Sequence, residues 1–175
     1  GYAALGLAKA RPDLVRSVVI VDTPVDPDLG WQGPPPRGVA DRVHADFEEA
    51  VGRFRLSPSD LPAPAWMQRY LGRHALRRTE DGWRWKFDPT MWRRFCVDEA
   101  PDFDFPAPVS LLYGARSSIL KRELAQRMAA ATPRLRVFDI PDAGHHVFVD
   151  RPHAFVAALL VLAASASFAD SSWKL

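Results

Sequence analysis

The chain has 175 residues, 47% hydrophobic and 25% charged, which suits one globular domain with a core of its own. A formal net charge of +2, with the arginines scattered rather than striped, argues against nucleic acid as a partner. Cys96 is the only cysteine, which excludes a disulfide framework and a cysteine-based metal site, and no apolar run reaches the length of a membrane span.

In chain order, residues 1–9 are small and apolar, with Tyr2, Leu5 and Ala8 at helical spacing. Arg11-Pro12-Asp13 ends this helix, because the proline ring disfavours helical geometry at the residue before it. Residues 15–21, Val-Arg-Ser-Val-Val-Ile-Val, read as a parallel strand covered on both faces, ending at Asp22. Prolines and glycines then crowd residues 24–38 and mark a loop into a different region.

That region begins with an amphipathic stretch, residues 39–54, whose apolar stripe is Val43, Phe47, Ala50, Val51 and Phe54. A second helix is expected over 64–74, carrying Trp66, Met67, Tyr70 and Leu71. Asp81-Gly82 forms a polar turn, and Trp83, Trp85 and Phe87 alternate after it as an extended arm. A third short helix, 89–95, holds Met91, Trp92 and Phe95. These aromatics either line a pocket or simply pack the inserted region, and for most of them packing is the plainer reading.

After Pro106 the alternation of strand and helix returns: a strand over 109–113, a helix over 121–131 and a strand over 135–140. Pro141 and Gly144 break that last strand and present His145 and His146 on a tight loop. Asp150 or Arg151 can cap the final helix, with Pro152 in its first turn, where a missing N–H does no harm. Residues 163–175 are small and polar and are expected to fray. A histidine loop at the carboxyl end of a parallel strand sits where open α/β sheets place their chemistry.

Three segments together resemble the carboxyl-terminal part of an α/β-hydrolase-fold enzyme. Gly1-Tyr2-Ala3-Ala4-Leu5 through Arg11-Pro12-Asp13-Leu14-Val15 resembles the helix after the nucleophile elbow, whose usual form is Gly-x-Ser-x-Gly-Gly. Pro108-Val109-Ser110-Leu111-Leu112-Tyr113-Gly114 resembles the strand that normally delivers the acid. Ala143-Gly144-His145, with Asp150-x-Pro152 and Phe155, resembles the catalytic-histidine loop and the helix after it.

The resemblance implies an α/β fold, the second half of a doubly wound sheet with a helical lid, or cap, inserted after one strand. The divisions are residues 1–30 and 106–163 for the core, 31–105 for the cap and 164–175 for a tail. If Gly1 is the last glycine of the elbow, the nucleophile lies three residues before it, and the oxyanion donors also lie upstream. The chain then reads as a fragment, inactive by itself. Its bared sheet is expected to make it aggregate or turn molten: about 400 Å² of exposed apolar surface forfeits ~10 kcal/mol. An incomplete gene product is a further reading, because the tail matches nothing in the family.

The family's common acid position, three residues after Gly114, is Ser117, followed by Ser118, and neither can supply a negative charge. Other members place the acid after the strand that follows the elbow helix, which here is Asp22. Asp22 is therefore the expected acid, with Asp142 its rival and Asp26, Asp28, Asp102 and Asp104 solvated at the joins. His145 is implied to be the general base and His146 to face the pocket or lid. Trp66 and Trp92 are the candidate substrate contacts. His44, His74 and His153 read as surface or packing residues on helices.

Metal binding is not expected, because adjacent histidines point apart and no third ligand is suitably spaced. No cofactor is called for. The expected reaction is hydrolysis of a small, fairly apolar ester through an acyl-enzyme, with no nucleic-acid or membrane partner and a cytoplasmic location. Two alternatives stay open: an Asp nucleophile, giving an epoxide hydrolase or haloalkane dehalogenase, and a non-catalytic protein that holds a small ligand under the lid.

Overall fold

A computed structural model describes the backbone of residues 1–25, 42–88, 105–132 and 134–171, with side chains to residue 165. The chain divides into two compact units, one made of Gly1–Gly30 with Glu99–Leu175 and the other of Trp31–Asp98.

The first unit is built on three parallel strands: β1 (Val18–Val21), β4 (Val109–Gly114) and β5 (Leu135–Ile140), ordered β1-β4-β5. The register sets Val18 against Val109 and Ile20 against Leu111. Val109 in turn faces Leu135, and Gly114 faces Ile140. Successive side chains on a strand point to opposite faces, so each strand here feeds two apolar layers. Val18, Ile20, Val109, Leu111, Tyr113 and Leu135 enter one core, which also takes Leu5 and Ala8 of helix α1 (Tyr2–Ala10) and Ala125 and Met128 of helix α4 (Arg122–Ala131). Ile140 and Val21 turn the other way, toward Val147 of the short helix α5 (Val147–Asp150) and Phe155 and Ala158 of helix α6 (Pro152–Ser171). All six residues of β4 are buried, as a central parallel strand requires.

β1 is shorter than the stretch 15–21 suggests. Pro12–Leu14 turns as a 3-10 helix, and the first ladder bond runs from the Val18 N–H to the Pro108 carbonyl at 2.9 Å. Pro106 and Pro108 have no N–H to donate, so the pairing cannot extend back to Val15. At the other end of the unit, residues 164–171 are helical rather than irregular. They continue α6 to Ser171, with the Ser165 hydroxyl bonded to the Val161 carbonyl at 2.8 Å. Ala-rich sequence without Gly or Pro offers the helix no stopping point there.

The second unit is described over residues 42–88. Helix α2 spans only Phe47–Gly52, not 39–54. Asp46 caps it, its carboxylate accepting from the Glu49 N–H at 2.7 Å, and a cap residue takes extended rather than helical backbone. Ahead of the cap, His44 pairs with Trp83 through two backbone hydrogen bonds of 2.8 Å each, so His44 is a buried bridge residue rather than a helical one.

Helix α3 is Ala65–His74. It leads into an antiparallel hairpin, β2 (Leu76–Thr79) and β3 (Gly82–Trp85), in which Leu76 faces Trp85. The extended arm at Trp83 and Trp85 is thus half of a hairpin whose first strand is masked in the sequence by Arg77 and Arg78. Gly82 sits at φ +140, and a Cβ there would lie 2.6 Å from the His44 carbonyl oxygen, so only glycine fits. Ala50, Val51 and Leu76, flanked by Phe47, Trp83 and Trp85, form this unit's core. The helix expected over 89–95, with Met91, Trp92 and Phe95, and the acids Asp26, Asp28, Asp102 and Asp104 lie outside the described residues.

Candidate active site

Three parallel strands end at the same edge, and each contributes one part of the site. β1 ends at Val21, and the next residue, Asp22, is 1% exposed and held at φ 44. A non-glycine residue at positive φ carries backbone strain, which persists where surrounding contacts over-determine it. Those contacts are present. The Asp22 N–H still reaches the Leu112 carbonyl of β4 at 2.7 Å, extending the ladder one residue past the strand. Its Oδ1 accepts from the Gly114 N–H at 3.0 Å, and its Oδ2 accepts from the Ser117 hydroxyl at 2.6 Å.

β5 ends at Ile140 and leads to the loop that carries His145. Its Nδ1 stands 2.7 Å from Asp22 Oδ2, across 123 residues of sequence. The imidazole keeps 29% of its surface exposed, while the carboxylate is sealed from water. A carboxylate oxygen facing Nδ1 fixes the tautomer with the proton on Nδ1 and leaves the lone pair on Nε2. That is the form a general base needs.

The histidine loop is held on two sides. Asp150 Oδ2 accepts from the Gly144 N–H at 2.7 Å, so Asp150 braces the loop instead of capping α6. On the other side the loop lies against the end of β4. A Cβ on Gly114 would fall 2.1 Å from the Gly144 carbonyl oxygen and 2.4 Å from that of Ala143, so the approach requires glycine.

Gly1 shows the same economy of space. A Cβ there would lie 2.3 Å from Thr23 Oγ1, so the first residue of the chain packs directly against the residue after Asp22. Tyr2 strengthens this join, its hydroxyl donating to the Pro24 carbonyl at 2.8 Å.

The structure brings Asp22 and His145 together and keeps Asp142 out. Asp142 is exposed at φ 55, and its nearest charged partner is Arg151 at 3.8 Å. His146 stands beside His145 with ring centroids 5.0 Å apart and is half-buried. Trp66 projects from α3 of the second unit with 66% of its surface exposed, and Trp92 is outside the described residues. His74 and His153 are exposed on their helices. Sequence reasoning dismissed Ser117 because a hydroxyl supplies no charge; it missed that the same hydroxyl lies within reach of the acid. Among the described residues no three His, Cys, Asp or Glu side chains gather where they could hold a metal ion.

The model of the alpha/beta hydrolase family matches residues 1–158. The chain belongs to the alpha/beta hydrolase family. Among curated relatives of the chain, an sn-1-specific diacylglycerol lipase, ABHD11, of Xenopus laevis is 28% identical over 91% of the chain and 54% of its own length. A putative non-heme bromoperoxidase, BpoC, of Mycobacterium tuberculosis is 28% identical over 94% of the chain and 64% of its own length. The chain thus spans 54% to 64% of the length of these relatives. Among solved structures, an esterase of Mycobacterium tuberculosis superposes with a TM-score of 0.69 at 20% identity, over 94% of the chain and 59% of the esterase. The thioesterase domain from the curacin biosynthetic pathway gives 0.63 at 18% identity, over 91% and 62%. These structural likenesses speak for the fold.

Proposed function

We propose that this chain carries the acid and the base of a hydrolytic triad, Asp22 and His145, and that the nucleophile stands upstream of Gly1. The observation that carries the reading is the 2.7 Å contact between His145 Nδ1 and a carboxylate oxygen sealed from solvent. The packing of Gly1 against Thr23 supports it, because a residue joined to Gly1 would stand near the Asp22 end of β1.

In the proposed reaction a small, fairly apolar ester is cleaved in two steps. His145 Nε2 takes the proton of the nucleophile's hydroxyl as its oxygen attacks the ester carbonyl. The resulting imidazolium is stabilised by Asp22 and then protonates the departing alkoxide, leaving an acyl-enzyme. His145 next takes a proton from water as its oxygen attacks the acyl carbonyl, and then returns that proton to the nucleophile's oxygen as its bond to the acyl carbon breaks and the acid is released. The curated relative described as a diacylglycerol lipase supports esters as the first class to try.

Substrate contact by His146, Trp66 and Trp92, and a cap role for the inserted region, belong to the same proposal. Trp66→Ala in the full-length protein is expected to raise KM by about tenfold with kcat little changed, as loss of one apolar contact would. A cytoplasmic location is also proposed, and cell fractionation tests it; among the described residues no helix is long and apolar enough to cross a membrane.

The deciding experiment treats the full-length protein with an electrophilic phosphonate and a series of nitrophenyl esters. Stoichiometric labelling of one upstream residue, lost together with ester turnover, supports the acyl-enzyme route. Turnover of an epoxide or haloalkane with heavy oxygen entering an upstream Asp would replace it by the alkyl-enzyme route. No label and no turnover would leave a ligand-holding protein and end the enzymatic reading.

A further inference from the structure

Ser117 is 3% exposed and lies in the turn after β4, outside the acid–base pair. Its hydroxyl oxygen accepts from two backbone donors of its own turn, the Ile119 N–H and the Leu120 N–H, each at 3.1 Å. A hydroxyl oxygen has two lone pairs and one proton. With both lone pairs engaged, the proton has one direction left, toward Asp22 Oδ2 at 2.6 Å. The hydroxyl is therefore a donor of fixed sense rather than a rotor that can switch roles.

Asp22 shows the complementary pattern. Oδ1 is occupied by the Gly114 N–H at 3.0 Å, and Oδ2 receives Ser117 from one side and His145 from the other. A carboxylate held by three donors in three directions cannot turn about its Cβ–Cγ bond. Without the Ser117 hydroxyl, the imidazole is the one remaining partner of Oδ2 among the described residues.

We infer that Ser117 is a positioning residue for catalysis: through Asp22 it fixes the plane and tautomer of His145, so that Nε2 meets the nucleophile in one orientation. This inference rests on the triad reading above. Its physical content is separate, since it concerns the Ser117–Asp22–His145 chain of hydrogen bonds whatever substrate is turned over. A turn-forming serine would serve the turn alone. This one joins the turn after β4 to the acid after β1 and the base after β5, and so ties together three strand ends.

The test uses the full-length protein. In Ser117→Ala, kcat on the best ester is expected to fall about 10- to 100-fold, the size of one lost hydrogen bond to a charged group, with KM changed by less than about twofold. The proton shared by His145 Nδ1 and Asp22 should give a far-downfield resonance in the wild type that moves upfield or broadens in the variant.

A melting temperature accompanies each measurement. A role confined to the turn would lower the melting temperature and leave both kcat and the imidazole resonance in place, which would overturn the inference. Should Ser117→Ala fail to fold, the wild type decides: a slowly exchanging Ser117 hydroxyl proton must show a cross-peak to the His145 Nδ1 proton, and its absence rejects the inference. If the wild type takes no label and turns over no ester, epoxide or haloalkane, the triad reading fails on kinetics, while the two resonances still decide whether Ser117 holds His145.

Discussion

At the scale of single residues, the site depends on who donates to whom. Asp22 accepts from a backbone amide and a hydroxyl at the end of β4 and from an imidazole beyond the end of β5. Replacing it by Asn keeps the shape but puts an amide where Oδ2 accepts two donors. On the proposed triad, Asp22→Asn should therefore turn His145 to the wrong tautomer and lower kcat of the full-length protein by about 10⁴-fold, a loss of the size found when a triad acid becomes an amide. Ester kinetics on the folded variant check this; a loss below about tenfold would mean that Asp22 is a structural residue.

That Asp22 and His145 meet at one sheet edge was legible in the sequence because each lies beyond the end of a strand and beside a turn-forming signal, Thr23-Pro24 in one case and Ala143-Gly144 in the other. Ser117 was not, because a serine in a turn looks the same whether or not its hydroxyl points at a residue 95 positions away. His44 was misread for a related reason. Its place within the amphipathic stretch 39–54 could not reveal that Asp46 caps a helix beginning only at Phe47.

At the scale of elements, glycines set how closely loops can approach strands. Gly114→Ala would place a methyl group about 2 Å from two carbonyl oxygens of the histidine loop, and neither backbone can yield cheaply. We expect it to destabilise the first unit by about 1–3 kcal/mol and to abolish catalysis by pushing His145 away from Asp22. Thermal melts with the same ester assay measure both effects.

In the second unit the hairpin turn carries its own electrostatic signature. Arg84, and then the Thr79 hydroxyl, hold the Asp81 carboxyl down from 3.8 to about 2. A carboxyl whose folded value is depressed supports the fold above its unfolded value and loses that support as pH falls through the folded one. A carboxyl-carbon titration should therefore find Asp81 ionised at pH 3, and an ordinary Asp midpoint would mean that the Arg84 contact at 2.6 Å does not form in solution. The hairpin's first strand escaped sequence reading because Leu76 alone of its four residues is buried, which leaves no alternation to detect.

At the scale of the whole molecule, the sheet order β1-β4-β5 leaves β1 paired on one side only among the described residues. A Val-Val-Ile-Val strand with an open edge is a template for association. The 175-residue chain produced alone should bind a hydrophobic dye and self-associate, whereas the full-length protein should do neither; a sharp, cooperative melt of a monomeric 175-residue chain would refute this. The α/β rhythm of the first unit was readable because its strands are continuous apolar runs between clear breakers. The length of the last helix was not, since small residues such as Ala and Ser mark a fraying tail and a helix equally well.

Asp22 and His145 are 123 residues apart, and a compact unit, Trp31–Asp98, is threaded between them. The cost of closing a loop grows with the number of free residues it contains. While the threaded unit is unstructured, Asp22 and His145 are the ends of a long tether; once it has folded, fewer free residues separate them. The order of events during refolding follows: helical and hairpin signals rise first, and the bridging imidazole proton appears last. That single resonance is then a completion signal for the whole chain, and slowing the folding of the threaded unit alone should delay it.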